Sequence, residues 1–208
     1  EDTLVVLTPA IPADHKEWAW FRGRGFRIEK RSQMLGHLSE GKMVMAVAGT
    51  HGKTTTSTLA AWLNSAAAGE GSAFLGGIST NFASNLVLGE GRRLVVEADE
   101  YDRSFLRLWP DVAVITATDA DHLDIYGTAE AMVEAFEQFA SQIKEGGSLI
   151  LKQGVAFHFD TKGRNLYRYS CDAGGAFHAE NIRLIEGGHY RYDIVLSDGR
   201  IEDSELGI

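Results

Sequence analysis

Short apolar runs closed by glycine alternate along this chain with longer stretches whose apolar residues recur every three or four positions, the pattern of buried parallel strands joined by helices. Residues 43–48 are continuously apolar, and Gly49 Thr50 His51 Gly52 Lys53 Thr54 Thr55 Thr56 follows at once. Over 54–68, Leu59, Ala60, Trp62, Leu63 and Ala67 fall at helical spacing ahead of Gly69, which predicts an amphipathic helix with a glycine stop. Two more buried strands are predicted at 94–96 and 112–115, each running into acidic residues, Glu97 Ala98 Asp99 Glu100 and Asp119 Ala120 Asp121 His122. A helix over 129–144 carries Met132, Val133, Phe136, Phe139, Ala140 and Ile143 on one face and stops at Gly146 Gly147 before a strand at 149–151. The fold class is therefore α/β, a parallel sheet flanked by helices, with polar chemistry gathered at strand C-termini.

Both ends read differently. A strand at 4–7, the extended segment Thr8 Pro9 Ala10 Ile11 Pro12, a helix over 14–24 capped by Asp14 and closed by Gly25, and a strand at 25–28 look like the tail of a preceding α/β domain. This assigns residues 1–42 to one domain and 43–208 to another. Beyond Gly154 the chain reads as β-rich, with Tyr190, Tyr192, Ile194 and Leu196 alternating with Arg191, Asp193 and Val195 ahead of the turn Asp198 Gly199. The first residue is Glu1 and no helix covers the last strands, so the sequence is expected to be a piece of a longer protein, truncated at both ends.

Composition narrows the functional classes. With 44% hydrophobic and 24% charged residues in 208, the chain can bury a sizeable core, and 23 glycines against 3 prolines point to tight turns, not proline-rich linkers. Twenty Lys and Arg against 29 Asp and Glu give a net charge of −9, which disfavours unaided binding to nucleic acid or an anionic membrane. The single cysteine, Cys171, admits no internal disulfide and fits a reducing, cytoplasmic setting. No apolar stretch approaches the roughly 20 residues of a transmembrane helix, and no signal peptide is evident.

The segment from Gly49 to Thr55 carries the sharpest chemistry. Successive backbone amides at a helix N-terminus make an anion cradle, and Lys53 adds a mobile positive charge, so phosphate is the expected guest. The string is G-x-x-G-K-T; Val47 stands where the longer G-x-x-x-x-G-K-[ST] loop has its first glycine. Thr54 would offer its hydroxyl to a nucleotide-bound magnesium ion. Glu97, Asp99, Glu100 and Asp102 crowd carboxylates behind a buried strand, a repulsion that a cation relieves, and Glu97, nearest the strand, is best placed to hold one. His122, beyond the next strand between Asp121 and Asp124, is a candidate ligand for a second divalent ion. His51 either contacts a transferring phosphoryl group or substrate carboxylate, or simply faces solvent. No metal-ligand spacing marks the other histidines, and no G-x-S-x-G elbow supports serine catalysis.

Taken in order, GTHGKTTT at 49–56, EADEYD at 97–102 and DADHLDIY at 119–126 resemble the Mur ligase family, and TPAIPADHKEW at 8–18 with Lys30 Arg31 Ser32 Gln33 resembles the end of its N-terminal domain. The resemblance implies a Rossmann-like, UDP-sugar-binding N-terminal domain of which 1–42 is the tail, and a central ATP-binding domain from 43 onward. It further implies an ATP- and Mg2+-dependent ligase of peptidoglycan synthesis in the bacterial cytoplasm, which joins L-alanine to the lactyl carboxylate of UDP-N-acetylmuramate through an acyl phosphate. On that basis Lys53 and the amides of Gly49, Thr50, His51, Gly52, Thr54 and Thr55 hold ATP. Thr54 and Glu97 bind one magnesium, Glu97 and His122 share a second, Lys53, Glu97 and His122 are catalytic, and His51 and Asn81 contact substrate. Sister ligases carry a carbamylated lysine on the helix after the histidine motif; 129–143 has none, leaving Glu134 or Glu137 as the substitute anion or the role absent. The fragment is expected not to ligate by itself. Two other readings stand beside this one: a ligase adding a preformed tripeptide during recycling, whose usual insertion after the acidic motif is missing at 103–110, and a nucleotide-binding module without ligase chemistry.

Overall fold

A computed structural model describes residues 3–8, 10–68, 71–171 and 174–207. Strands β1 (Leu4–Leu7) and β2 (Arg27–Lys30) pair in parallel, Leu4 opposite Arg27, across helix α1 (Lys16–Gly23). That helix starts later than Asp14, because the His15 N–H bonds the Pro12 carbonyl at 3.0 Å and the chain turns there first; His15 precedes the helix without a side-chain cap. Helix α2 (Arg31–Ser39), which the hydrophobic pattern did not announce, begins where the Gln33 side-chain carbonyl accepts the Lys30 N–H at 2.9 Å. Its apolar residues Met34, Leu35 and Leu38 are too few and too interrupted by Gly36 to make a periodic stripe.

The other ten strands form one sheet, fed in chain order by β3 (Met43–Ala48), α3 (Lys53–Ala68), β4 (Ser72–Ser79), β5 (Ser84–Val87), β6 (Arg93–Glu97), β7 (Val112–Ile115), α4 (Leu123–Tyr126), α5 (Ala129–Ser141), β8 (Ser148–Lys152), β9 (Asn165–Ser170), β10 (Phe177–Leu184), β11 (Tyr190–Leu196) and β12 (Gly199–Leu206). Spatially the order is β12-β11-β10-β9-β8-β7-β3-β6-β4-β5. Strands β4, β6, β3, β7, β8 and β9 run parallel, and β10, β11 and β12 are joined as antiparallel neighbours. The β-rich C-terminal stretch thus extends the main sheet through the β9–β10 pairing. The β4–β5 hairpin was not foreseen, since Gly76 and Gly77 break the apolar run of β4; the expected stop at Gly69 lies outside the described residues.

Side-chain alternation sends the two faces of the sheet into separate cores. Leu94 and Val96 of β6 join Ala46, Ile115, Leu149 and Leu151 beneath Met132, Phe136 and Phe139 of α5, whereas Val95 packs on the opposite face with Leu75 and Ala61 of α3. Helix α5 ends at Ser141, short of the expected 144. There Gln142 donates from Nε2 to the Leu106 and Leu108 carbonyls at 3.2 and 2.8 Å, and the Lys144 N–H bonds the Pro110 carbonyl at 3.0 Å, so 142–144 tie down the segment entering β7 instead of continuing the helix.

Candidate functional site

Strand β3 lies between β6 and β7: the chain leaves β3 for β4 on one side and later crosses from β6 to β7 on the other, and the crevice beyond the strand C-termini at such a switch is where ligands bind in open α/β folds. The loop at 49–52 occupies that point. Gly49 has φ of +128°, and a Cβ there would collide with the Thr116 side chain and with the backbone nitrogens of Thr116 and Ala117, both at 2.9 Å; only glycine lets the loop pass this close to the end of β7. Thr116 fastens the contact, its hydroxyl reaching the Ala48 carbonyl at 3.2 Å and the His51 carbonyl.

Not every amide of the loop faces outward. The Thr50 N–H bonds the Ala117 carbonyl at 3.1 Å, so that amide serves the fold and does not face the loop's opening. The amides of Lys53, Thr54 and Thr55 head the 16-residue helix α3, where no intrahelical acceptor exists for them. This leaves the helix N-terminus, with its free amides and partial positive charge, suited to hold an anion.

Lys53 is mostly buried. Its ammonium donates to the Gly49 carbonyl at 2.9 Å and to Glu100 Oε1 at 2.9 Å, and Glu100 is fully buried, its Oε2 without a hydrogen-bond partner among the described residues. His122, in the left-handed region at φ of +49°, brings Nε2 to 3.8 Å from the same Glu100 oxygen and packs edge-on against Tyr101. Tyr126 closes the cluster from below, donating its hydroxyl to the Glu100 backbone carbonyl at 2.6 Å. Burial, and next the nearby Glu100 charge, push the Tyr126 phenol up to about 12, so it stays a donor at neutral pH.

Glu97 ends β6 beside this cluster. Its carboxylate accepts from Thr54 Oγ1 at 3.0 Å, from the Gly76 N–H at 2.8 Å and from Ser57 Oγ at 3.4 Å. A hydroxyl and a carboxylate this close are hard oxygen donors suited to magnesium, which takes one or two carboxylates and completes its shell with water and phosphate oxygens. Among the described residues no group of three or more His, Cys, Asp and Glu is placed to hold a metal without such added ligands.

Of the residues singled out from sequence, Lys53, Thr54, Glu97 and His122 gather at the sheet's C-terminal edge, but His122 meets Glu100, and among the described residues no hydrogen bond or ion pair joins it to Glu97. His51 is 69% exposed, with Nε2 3.8 Å from Asp119 Oδ2. Asn81 sits in the β4–β5 turn, where its side chain meets Thr80, away from Lys53 in hydrogen bonding. Glu137 accepts the His158 N–H at 2.7 Å and Glu134 is exposed; neither bonds to Lys53, Glu97 or His122. Sequence reasoning named Glu100 only as one of four crowded carboxylates, not as the partner of Lys53, and missed Ser57, Gly76 and Thr116. The glycine pair inside an apolar run was a usable signal for close approach of another group; nothing in the acidic cluster marks which carboxylate is buried.

Residues 47–206 match the family described as the Mur ligase middle domain. Over 208 residues the chain is 50% identical to the UDP-N-acetylmuramate–L-alanine ligase of Phocaeicola vulgatus, an alignment covering 99% of this chain and 45% of that protein. Among solved structures, the UDP-N-acetylmuramate–alanine ligase of Thermotoga maritima superposes with a TM-score of 0.81 at 24% identity, covering 98% of this chain and 46% of that one. The UDP-N-acetylmuramate:L-alanyl-γ-D-glutamyl-meso-diaminopimelate ligase of Neisseria meningitides gives 0.79 at 21%, over 98% and 68%. At those identities the structural likeness is one of fold. The chain spans about 45% of the length of the curated relative it matches.

Proposed function

Because the chain belongs to the Mur ligase family, whose middle domain fills residues 47–206, we propose that it is the nucleotide-handling part of an ATP-dependent ligase that joins L-alanine to the lactyl carboxylate of UDP-N-acetylmuramate in bacterial peptidoglycan synthesis. Residues 1–42 are then the end of the sugar-nucleotide domain and 43–208 part of the central domain. Among the described residues no helix is long and apolar enough to cross a membrane, and with one exposed cysteine the chain suits the bacterial cytoplasm, where its nucleotide substrates reside.

In this reading the cradle at the head of α3 holds the ATP phosphates, and Lys53 neutralises charge that builds during transfer. Thr54 and Glu97 would hold a magnesium ion, which would supply charge neutralisation beside the phosphates; His122 stands at the neighbouring strand end, against Glu100. A substrate carboxylate oxygen attacks the γ-phosphorus and ADP leaves; the amine then attacks the acyl carbon, inorganic phosphate departs, and the amine loses a proton. The chain's part in that sequence is positioning and electrostatics, and we assign His51, exposed beside the loop, to contact with the incoming carboxylate.

The observation that carries this reading is identity to an L-alanine-adding relative along the whole chain, set on a loop, lysine, hydroxyl and carboxylate assembled at one strand edge. A chimera in which residues 1–208 replace the matching segment of the Phocaeicola vulgatus relative is expected to release phosphate with UDP-N-acetylmuramate, Mg-ATP and L-alanine, and to lose that release on Lys53→Ala. Release only with the tripeptide would make the chain part of a recycling ligase. The 208 residues by themselves are expected to bind Mg-ATP without turnover.

A further inference from the structure

We infer that Glu100 is a positioning residue that parks the Lys53 ammonium on the floor of the loop until nucleotide draws it off, an inference that rests on the nucleotide site proposed above. Two of the three ammonium protons are already directed inward, one to Glu100 Oε1 and one to the Gly49 carbonyl, each at 2.9 Å. Bridging two phosphate groups takes two protons, so Lys53 must surrender an inward partner. Gly49 is locked beside β7, whereas Glu100 can exchange partners.

Three features set Glu100 apart from a carboxylate kept for architecture. It is 0% exposed, yet among the described residues its Oε2 has no hydrogen-bond partner, an unmet buried acceptor that the fold alone does not explain. Its backbone is held independently of its charge, by the Tyr126 hydroxyl at 2.6 Å, so the side chain can change partners without moving the chain. His122 Nε2 stands 3.8 Å from the oxygen that Lys53 occupies, so a second polar group already faces it when the ammonium leaves. The parked pair costs nucleotide affinity because an ion pair desolvated on both sides must open before phosphate is bound.

The test is the affinity of the 208-residue chain for ADP without divalent cation, by calorimetry, in the parent, Glu100→Gln, Lys53→Met and the double variant. Glu100→Gln keeps the shape and removes the charge that holds Lys53, and is expected to tighten ADP about tenfold, the low end for replacing a charge-assisted bond by a weaker neutral one. That gain disappears in the Lys53→Met background; an equal gain there would be a general charge effect and would overturn the parking role, as would no gain in Glu100→Gln. Parent chain that binds no ADP overturns the nucleotide reading as well, which separates the two failures. Urea denaturation supplies a second arm that does not depend on binding. Lys53→Met strands a buried carboxylate and lowers the midpoint, and adding Glu100→Gln restores it; a Lys53→Met midpoint equal to the parent's would show that the pair does not form in solution.

Discussion

Gly76→Ala tests the site's architecture through a single methyl group. A Cβ at position 76 would fall on the Glu97 carboxyl, so Glu97 must swing away and give up its bonds from the Gly76 N–H at 2.8 Å and Thr54 Oγ1 at 3.0 Å. Bonds to a charged acceptor contribute about 1.5–3 kcal/mol each, but Glu97 is only half-buried and recovers part of that from water. Alanine also favours a strand over glycine by roughly 0.5–1 kcal/mol. The balance is a loss of about 1–2 kcal/mol, which at this chain length lowers the melting temperature by roughly 2–8 °C. Gly77→Ala is the control: its Cβ would meet only Thr54 Cγ2, at 3.4 Å, so its stability should match or slightly exceed the parent's. Circular dichroism melts of both variants decide the matter, with Mg-ATP titration as a second readout, since displaced Glu97 weakens the magnesium-dependent part of binding in Gly76→Ala alone. Equal melting of the two variants would refute the claim that Glu97 is held against β4.

Three further outcomes follow from the same geometry. Phe136→Ala removes a fully buried ring stacked edge-on against Phe105 at 5.3 Å and is expected to cost about 3–5 kcal/mol in urea denaturation, while Leu63→Ala, 66% exposed, should change stability by less than about 1 kcal/mol. Thr116→Val keeps the volume but removes the buried hydroxyl that ties β7 to the Ala48 and His51 carbonyls, so nucleotide affinity should fall about tenfold and stability by about 1–3 kcal/mol in urea denaturation. Alkaline titration of tyrosinate absorbance should show one of the six tyrosines ionising near 12 against an ordinary value of 10.0, a component lost in Tyr126→Phe; because the folded value is raised, the stability it contributes is intact below pH 10 and is lost as pH climbs toward 12.

Strand β3, the loop at 49–52, helix α3 and the helix face of α5 were legible in the sequence because each rests on local rules: an apolar run, helical spacing, and glycine where the chain must turn. The candidate residues Lys53, Thr54 and Glu97 followed, since a residue just past a buried strand has only one edge of the sheet to occupy. What tertiary structure alone decided is which carboxylate meets which partner. Glu97 and Glu100 stand three residues apart in one acidic run, yet one accepts from Thr54 and Gly76 at the rim and the other is sealed beneath Lys53. That division depends on the turn after β6 packing against α5 through Phe105, and on Tyr126 arriving from α4 to hold the Glu100 carbonyl, contacts between segments far apart in the chain. Sequence periodicity reports which side of an element is apolar; it carries no information about which distant group will face a buried charge, and that pairing was settled only when the elements packed.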